Sequence, residues 1–188
     1  MNYALDVIWA AGHGGSDPGA VALGKKEKDY NLKRALYCHT RAQQLGLRSG
    51  LVRRDDTFLD LEMMASRVVI SRARVCVCQH VNSGGGKGAE VIHSLRHSPK
   101  FAQLMMEQLK AAGCGAHGQT GVLTRASRVH KNANGNSKDY YRMHYTGETE
   151  TIIVEPGFMD DSNFLTFLDA KWQLIAEAEL KATCLYLG

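Results

Sequence analysis

Two histidines and two glutamates sit at points where an alternating chain of strands and helices would deliver them to one edge. His13 follows the apolar run 3–9 (YALDVIW), His80 ends 74–80 (RVCVCQH), Glu155 ends 151–155 (TIIVE), and Glu27 lies just before an amphipathic stretch. Two imidazoles and a carboxylate form a His2Glu metal site. Three protein ligands there leave a fourth position for water, and a further carboxylate can take the water's proton. Neutral imidazole and carboxylate suit a borderline ion such as zinc, and one anionic ligand leaves enough positive charge to bring bound water to a pKa of about 7. Gly12, Gly14 and Gly15 flank His13 and let backbone approach a metal and substrate closely. Residue type alone leaves other readings open. A histidine at a strand end also serves as a hydrogen-bonded loop residue, and Glu27, within KKEKD, reads from composition as a solvated turn at a helix start. Glu155 follows TIIV, where an unpaired carboxylate costs several kcal/mol. An arginine partner or a role as base beside a metal would explain it, and the second reading is favoured.

The elements that must position these groups follow from periodicity. Strands are expected at 3–9, 47–53, 74–80, 88–93, 119–124 and 151–155. Helices are expected from Asp29 to Gly46, over 60–71, after Ser98-Pro99 through KFAQLMMEQLKAAG, and over 163–182. The Ser98-Pro99 pair reads as an N-cap followed by proline at the first helical position. Residues 125–147 are polar and irregular and read as a long surface loop. The pattern predicts an α/β fold in a single domain: a mixed, mostly parallel sheet of about six strands with helices on both faces. Ligands in such folds bind beyond the carboxyl ends of strands, which is where the four candidate residues fall.

The 188 residues, 44% hydrophobic and 22% charged, can bury a core without disulfide support. Five cysteines, an odd number with no framework spacing, read as free thiols. Cys76 and Cys78 share a strand face with His80, but thiols about 7 Å apart along a strand fit packing better than chelation. No apolar run reaches the roughly 20 residues of a membrane span, and the N-terminus lacks signal-peptide features, so synthesis in the cytoplasm is expected. A net charge of +4 is too weak to argue for nucleic acid. A phosphate-loop reading of GHGGSDPG fails because Asp17 occupies the third glycine position.

At 12–32 (GHGGSDPGAVALGKKEKDYNL), 79–83 (QHVNS), 88–91 (GAEV) and 152–161 (IIVEPGFMDD), the chain resembles the zinc-dependent N-acetylmuramoyl-L-alanine amidases of the amidase-3 type. The resemblance spans nearly the whole chain, residues 1–188, as a catalytic domain without a wall-binding module. It implies one catalytic Zn2+ held by His13, Glu27 and His80, with Glu155 as general base and acid. The implied reaction is hydrolysis of the amide between N-acetylmuramic acid and the L-alanine of the peptidoglycan stem peptide by zinc-activated water. Asn82, Glu90 and His144 are further candidates for substrate contact, against ordinary structural hydrogen bonding. The basic loop with Arg125, Arg128, Lys131, Lys138, Tyr140, Tyr141 and Arg142 then reads as the border of a groove for an anionic glycan-peptide rather than a nucleic-acid surface. Residues 93–100 lead directly to a helix, without the long insertion that blocks the site in regulated cell-division relatives. The expected protein is a monomeric, uninhibited lysin of phage or bacterial type. It reaches the wall after holin-type release or lysis, and it has no nucleic-acid or membrane partner. Competing readings are a non-catalytic wall-binding or nucleic-acid-binding module and a zinc peptidase or amidase of another substrate.

Overall fold

The computed structural model describes residues 2–188. In chain order its elements are β1 (Leu5–Ala11), β2 (Val21–Ala22), β3 (Lys25–Lys26), α1 (Glu27–Gln44), β4 (Ser49–Leu51), α2 (Leu61–Ser71), β5 (Ala73–Gln79), β6 (Glu90–His93), α3 (Lys100–Ala111), β7 (Val122–Leu123), β8 (Ala126–Lys131), β9 (Ser137–Asp139), a 3-10 turn (Arg142–His144), β10 (Glu150–Glu155) and α4 (Ser162–Leu187). Six strands form one sheet in the order β4-β1-β5-β10-β6-β7. β1 runs parallel to both β4 and β5, β5 runs parallel to β10, and the direction reverses at β6, which β7 follows.

Strand alternation divides the core. Val7, Trp9, Val75, Val77, Ile152 and Val154 point to the face where α1, α3 and α4 supply Ala35, Phe101, Met105, Leu168 and Ile175. Ile8, Ala10, Cys76, Cys78 and Ile153 point to the opposite face, covered by Met64, Ala65 and Val68 of α2 and by Met143. Helices thus cover both faces, as expected. Cys76 and Cys78 are fully buried within the smaller core, in agreement with the packing reading.

Several bounds differ from expectation, β1 by two residues at each end and α4 by five at its end, and three differences have a clear physical cause. Helix α1 starts at Glu27 rather than Asp29, because carbonyls of the preceding loop satisfy its first N–H groups: Ala20 O accepts from Glu27 N at 2.9 Å and Pro18 O from Lys28 N at 3.2 Å. In α3, Pro99 occupies the N-cap position with no side-chain cap, so Ser98 does not cap the helix. Segment 125–147 is ordered rather than irregular. Asn132 Oδ1 accepts from the N–H groups of Asn134 and Asn136 at 3.0 Å each, Gly135 takes a φ of 77°, and β8 pairs antiparallel with β9. The missed signal was Asn134-Gly135, a hairpin dipeptide.

Candidate metal centre and active-site groove

Parallel register brings the site residues together. Ala11 pairs with Gln79 across β1 and β5, and Gln79 with Val154 across β5 and β10, so three neighbouring strands end side by side. His80 follows the middle one, Glu155 ends its neighbour, and His13 lies two residues past the third. The ladder extends through Gly12 N donating to Gln79 O at 2.9 Å and His80 N to Val154 O at 3.0 Å.

Glu27 comes to this edge from the first turn of α1. His13 Nε2 lies 3.1 Å from Glu27 Oε2, and His80 Nδ1 lies 3.0 Å from Glu27 Oε1. One ligand atom from each of His13, Glu27 and His80 lies within 4.8 Å of the others. A tetrahedral zinc ion with ligands at 2.0–2.1 Å needs donors about 3.3 Å apart, and the two His–Glu27 separations of 3.1 and 3.0 Å are near that spacing. Glu27 is buried, not a solvated turn residue. Its carboxylate is aimed by Ala20 N at 2.9 Å, Val81 N at 3.0 Å and Asn31 Nδ2 at 3.1 Å. Burial alone would raise its pKa, yet hydrogen bonds from His13 and His80 hold it far below the usual carboxylate range. Oxygen and imidazole donors fixed in this way suit a borderline divalent ion, zinc among them.

Supporting contacts reach residues that sequence reading had not singled out as part of the site. Asp17 Oδ2 lies 2.7 Å from His13 Nδ1. It therefore selects the tautomer that leaves Nε2 free as a donor to a metal, a carboxylate–histidine arrangement common behind zinc ligands. His13 itself has a φ of 60°, rare for a residue with a side chain, and Arg53 braces that loop by donating to Ala11 O at 3.0 Å and Gly12 O at 3.1 Å. Arg34, wholly buried, donates to His80 O at 2.7 Å and pairs with Glu179 at 2.6 Å. Arg34 and Glu179, both 0% exposed, are thus internal braces. Arg34→Met should lower folding stability by about 3–5 kcal/mol in denaturant titrations, because Glu179 would keep a buried charge without its partner.

Gly12 has a packing reason to be glycine. An added Cβ would stand 2.1–2.6 Å from the His80 ring. Gly12→Ala should therefore displace that ring and weaken zinc binding about 10–100-fold in competition titrations, with the circular-dichroism spectrum unchanged. The second glycine cluster serves the neighbouring loop instead of the metal. Gly84 N and Gly85 N donate to Asp160 Oδ2 at 2.9 and 2.7 Å, and a Cβ on Gly86 would strike the Phe158 ring.

Glu155 faces the α2 side of the sheet beside this cluster, by alternation from Ile153. Its Oε2 is buried without a hydrogen-bond partner among the described residues. Burial pushes its pKa up to about 7, with Glu27 and Glu90 raising it and His80 opposing. No arginine pairs with it among the described residues, so the ion-pair alternative falls away. Glu90 is its register partner across β6 and β10 and is 4% exposed; Asn82 Nδ2 donates to Glu90 Oε2 at 2.8 Å. His144, a further candidate for substrate contact, is 1% exposed and packs 3.5 Å from the buried Asp139. The groove in front of the cluster has a volume of about 530 Å³ and is lined by His13, Asp17, His80, Phe58, Leu61 and Met143.

The sequence profile of N-acetylmuramoyl-L-alanine amidases matches residues 7–183. The chain belongs to this family. The amidase is 29% identical over 159 residues to the uncharacterized protein YqiI of Bacillus subtilis strain 168, covering 81% of this chain and 69% of that one. It is also 29% identical over 158 residues to the N-acetylmuramoyl-L-alanine amidase LytC of the same organism, covering 81% of this chain but 29% of LytC. Among solved structures, the catalytic domain of CwlV, an N-acetylmuramoyl-L-alanine amidase from Bacillus (Paenibacillus) polymyxa var. colistinus, superposes with a TM-score of 0.80 at 26% identity, over 96% of this amidase and 97% of that chain.

Proposed function

We propose that this chain is a zinc-dependent peptidoglycan amidase that cleaves the bond between the lactyl group of N-acetylmuramic acid and the L-alanine of the stem peptide. The observation that carries the reading is the convergence of His13, Glu27 and His80 beside the unpartnered carboxylate of Glu155, in a member of the amidase family. His13 Nε2, a Glu27 oxygen and a His80 nitrogen would hold one zinc ion. When bound, zinc supplies Lewis acidity toward the amide carbonyl and lowers the pKa of water.

The remaining chemistry belongs to the protein. Glu155 accepts a proton from the attacking water as its oxygen bonds to the carbonyl carbon. It then delivers that proton to the departing nitrogen as the C–N bond breaks, giving a lactyl carboxylate and a free L-alanine amine. In the metal-free protein burial raises the Glu155 carboxyl from an ordinary 4.5 to about 7, a stronger base than a free carboxylate, and a bound zinc ion would draw that value back down. Asp17 fixes the His13 tautomer, and Arg34 anchors the backbone of His80. His13 and His80 of the cluster line the groove, and no residue of the short connection between β6 and α3 lines it. No helix among the described residues is long and apolar enough to cross a membrane.

Mass spectrometry of fragments released from purified peptidoglycan tests the assignment. Peptides beginning with a free L-alanine amine and glycans retaining intact lactyl carboxylates are the expected products; cleavage inside the stem would make the chain a peptidase.

A further inference from the structure

The chain's charge excess is concentrated in one place. Residues 125–145 carry Arg125, Arg128, Lys131, Lys138 and Arg142 against the single acid Asp139, an excess equal to the +4 of the whole chain, so the rest is electrically balanced. Asp139 does not neutralise the outer surface, because it is buried and accepts from Ser94 Oγ at 2.7 Å and Leu95 N at 2.8 Å. Arg142 is already held by Glu62 through two bonds of 2.6 and 2.7 Å. Arg128 and Lys138 are exposed and have no acidic partner among the described residues. Two clefts of about 750 and 440 Å³ flank the hairpin and share His130 and Tyr140, the latter 64% exposed.

The inner end of this arm reaches the reaction centre. Arg125 Nη2 lies 3.6 Å from Glu90 Oε2, beyond hydrogen-bond length, and its guanidinium stands 5.8 Å from the Tyr141 ring. Glu90 pairs in register with Glu155. On the arm's side the centre is bordered by the acids Glu90 and Glu155, in addition to the metal-site residue Glu27, so a carboxylate-bearing ligand entering there is helped by a counter-charge beyond the metal. Arg125 is positioned to provide one, and its planar donors match a carboxylate.

We propose that the 125–145 arm docks the peptide part of the substrate, with Arg125 reading a free carboxylate near the scissile amide and Arg128 and Lys138 steering the rest of the stem. The inference rests on the proposed amidase activity. The alternative occupant of a cationic arm is a phosphodiester polymer, whose free oxygens a guanidinium also pairs with; the peptide is favoured because Arg125 stands beside Glu90, the register partner of Glu155, where the group next to the scissile amide would lie.

Binding without turnover separates the possibilities. The full-length, zinc-loaded Glu155→Gln protein is titrated calorimetrically with muramoyl-L-alanyl-glutamate carrying either a free α-carboxylate or a carboxamide. The acid should bind about tenfold tighter than the amide at low salt, as a charge-assisted pair does. In an Arg125→Ala background the two should bind within about twofold of each other. Equal binding by the unsubstituted arm, undiminished discrimination in Arg125→Ala, or tighter binding of a glycerol-phosphate oligomer than of the acid would overturn the proposal. Turnover is read separately on the protein with Glu155 intact. Discrimination without hydrolysis would count against the amidase reading and for this one, whereas hydrolysis of both ligands at equal efficiency would do the reverse.

Discussion

Replacing Glu155 by glutamine should lower kcat by about 10²–10⁴-fold while each chain still binds one zinc ion, since the substitution removes a proton acceptor and leaves His13, Glu27 and His80 in place. Stability should move the other way. In the metal-free protein the Glu155 carboxyl titrates at about 7 when folded against an ordinary 4.5. The stability it permits is therefore fully present below about pH 4.5 and is lost as pH rises through about 7. Glutamine carries no such charge, so metal-free Glu155→Gln should melt higher than the parent at pH 8, by up to about 3 kcal/mol in stability, and match it near pH 4. Bound zinc, as a nearby positive charge, should narrow this gap. Below the Glu155 pKa, kcat/KM should fall about tenfold per pH unit, with the midpoint at or below pH 7. An active Glu155→Gln protein would remove the proposed base from the mechanism.

His80→Ala should abolish zinc binding and activity together. It deletes one of three donors and leaves Glu27 without the partner at 3.0 Å that holds its carboxylate ionised. Metal analysis after dialysis should find less than about a tenth of an equivalent. Added zinc should raise the melting temperature of the parent, as a ligand that binds only the folded state does, by about 4 kcal/mol at a thousandfold excess over Kd. The variant should show no such rise. A His80→Ala protein that keeps stoichiometric zinc would place the metal elsewhere.

Much of this was legible because strand ends are written locally. The runs 3–9, 74–80 and 151–155 are short and apolar, and each carries its chemical residue at its end or within a few residues of it. Glu27 was different. KKEKD gives no sign of burial; only the fold shows the loop carbonyls that start α1 early and the backbone amides of Ala20 and Val81 that enclose the carboxylate. Long-range partners such as Arg34 with Glu179, and Asp17 behind His13, depend on register and were hidden for the same reason. The Asn-Gly signal of the hairpin was present in the sequence but masked by the polarity of its surroundings. His144 lies in a segment that reads as a loop and is buried because its turn folds back on α2 and β10 instead of projecting.

The most direct test of the central claim is the appearance of new amino-terminal L-alanine when the purified protein digests isolated peptidoglycan, measured as prepared, after chelation, and after zinc is restored. The amidase account predicts release of L-alanine amines, its loss with chelator and its return with zinc. Unchanged release in the chelated protein, or wall binding with no new L-alanine amine in any of the three states, would contradict it.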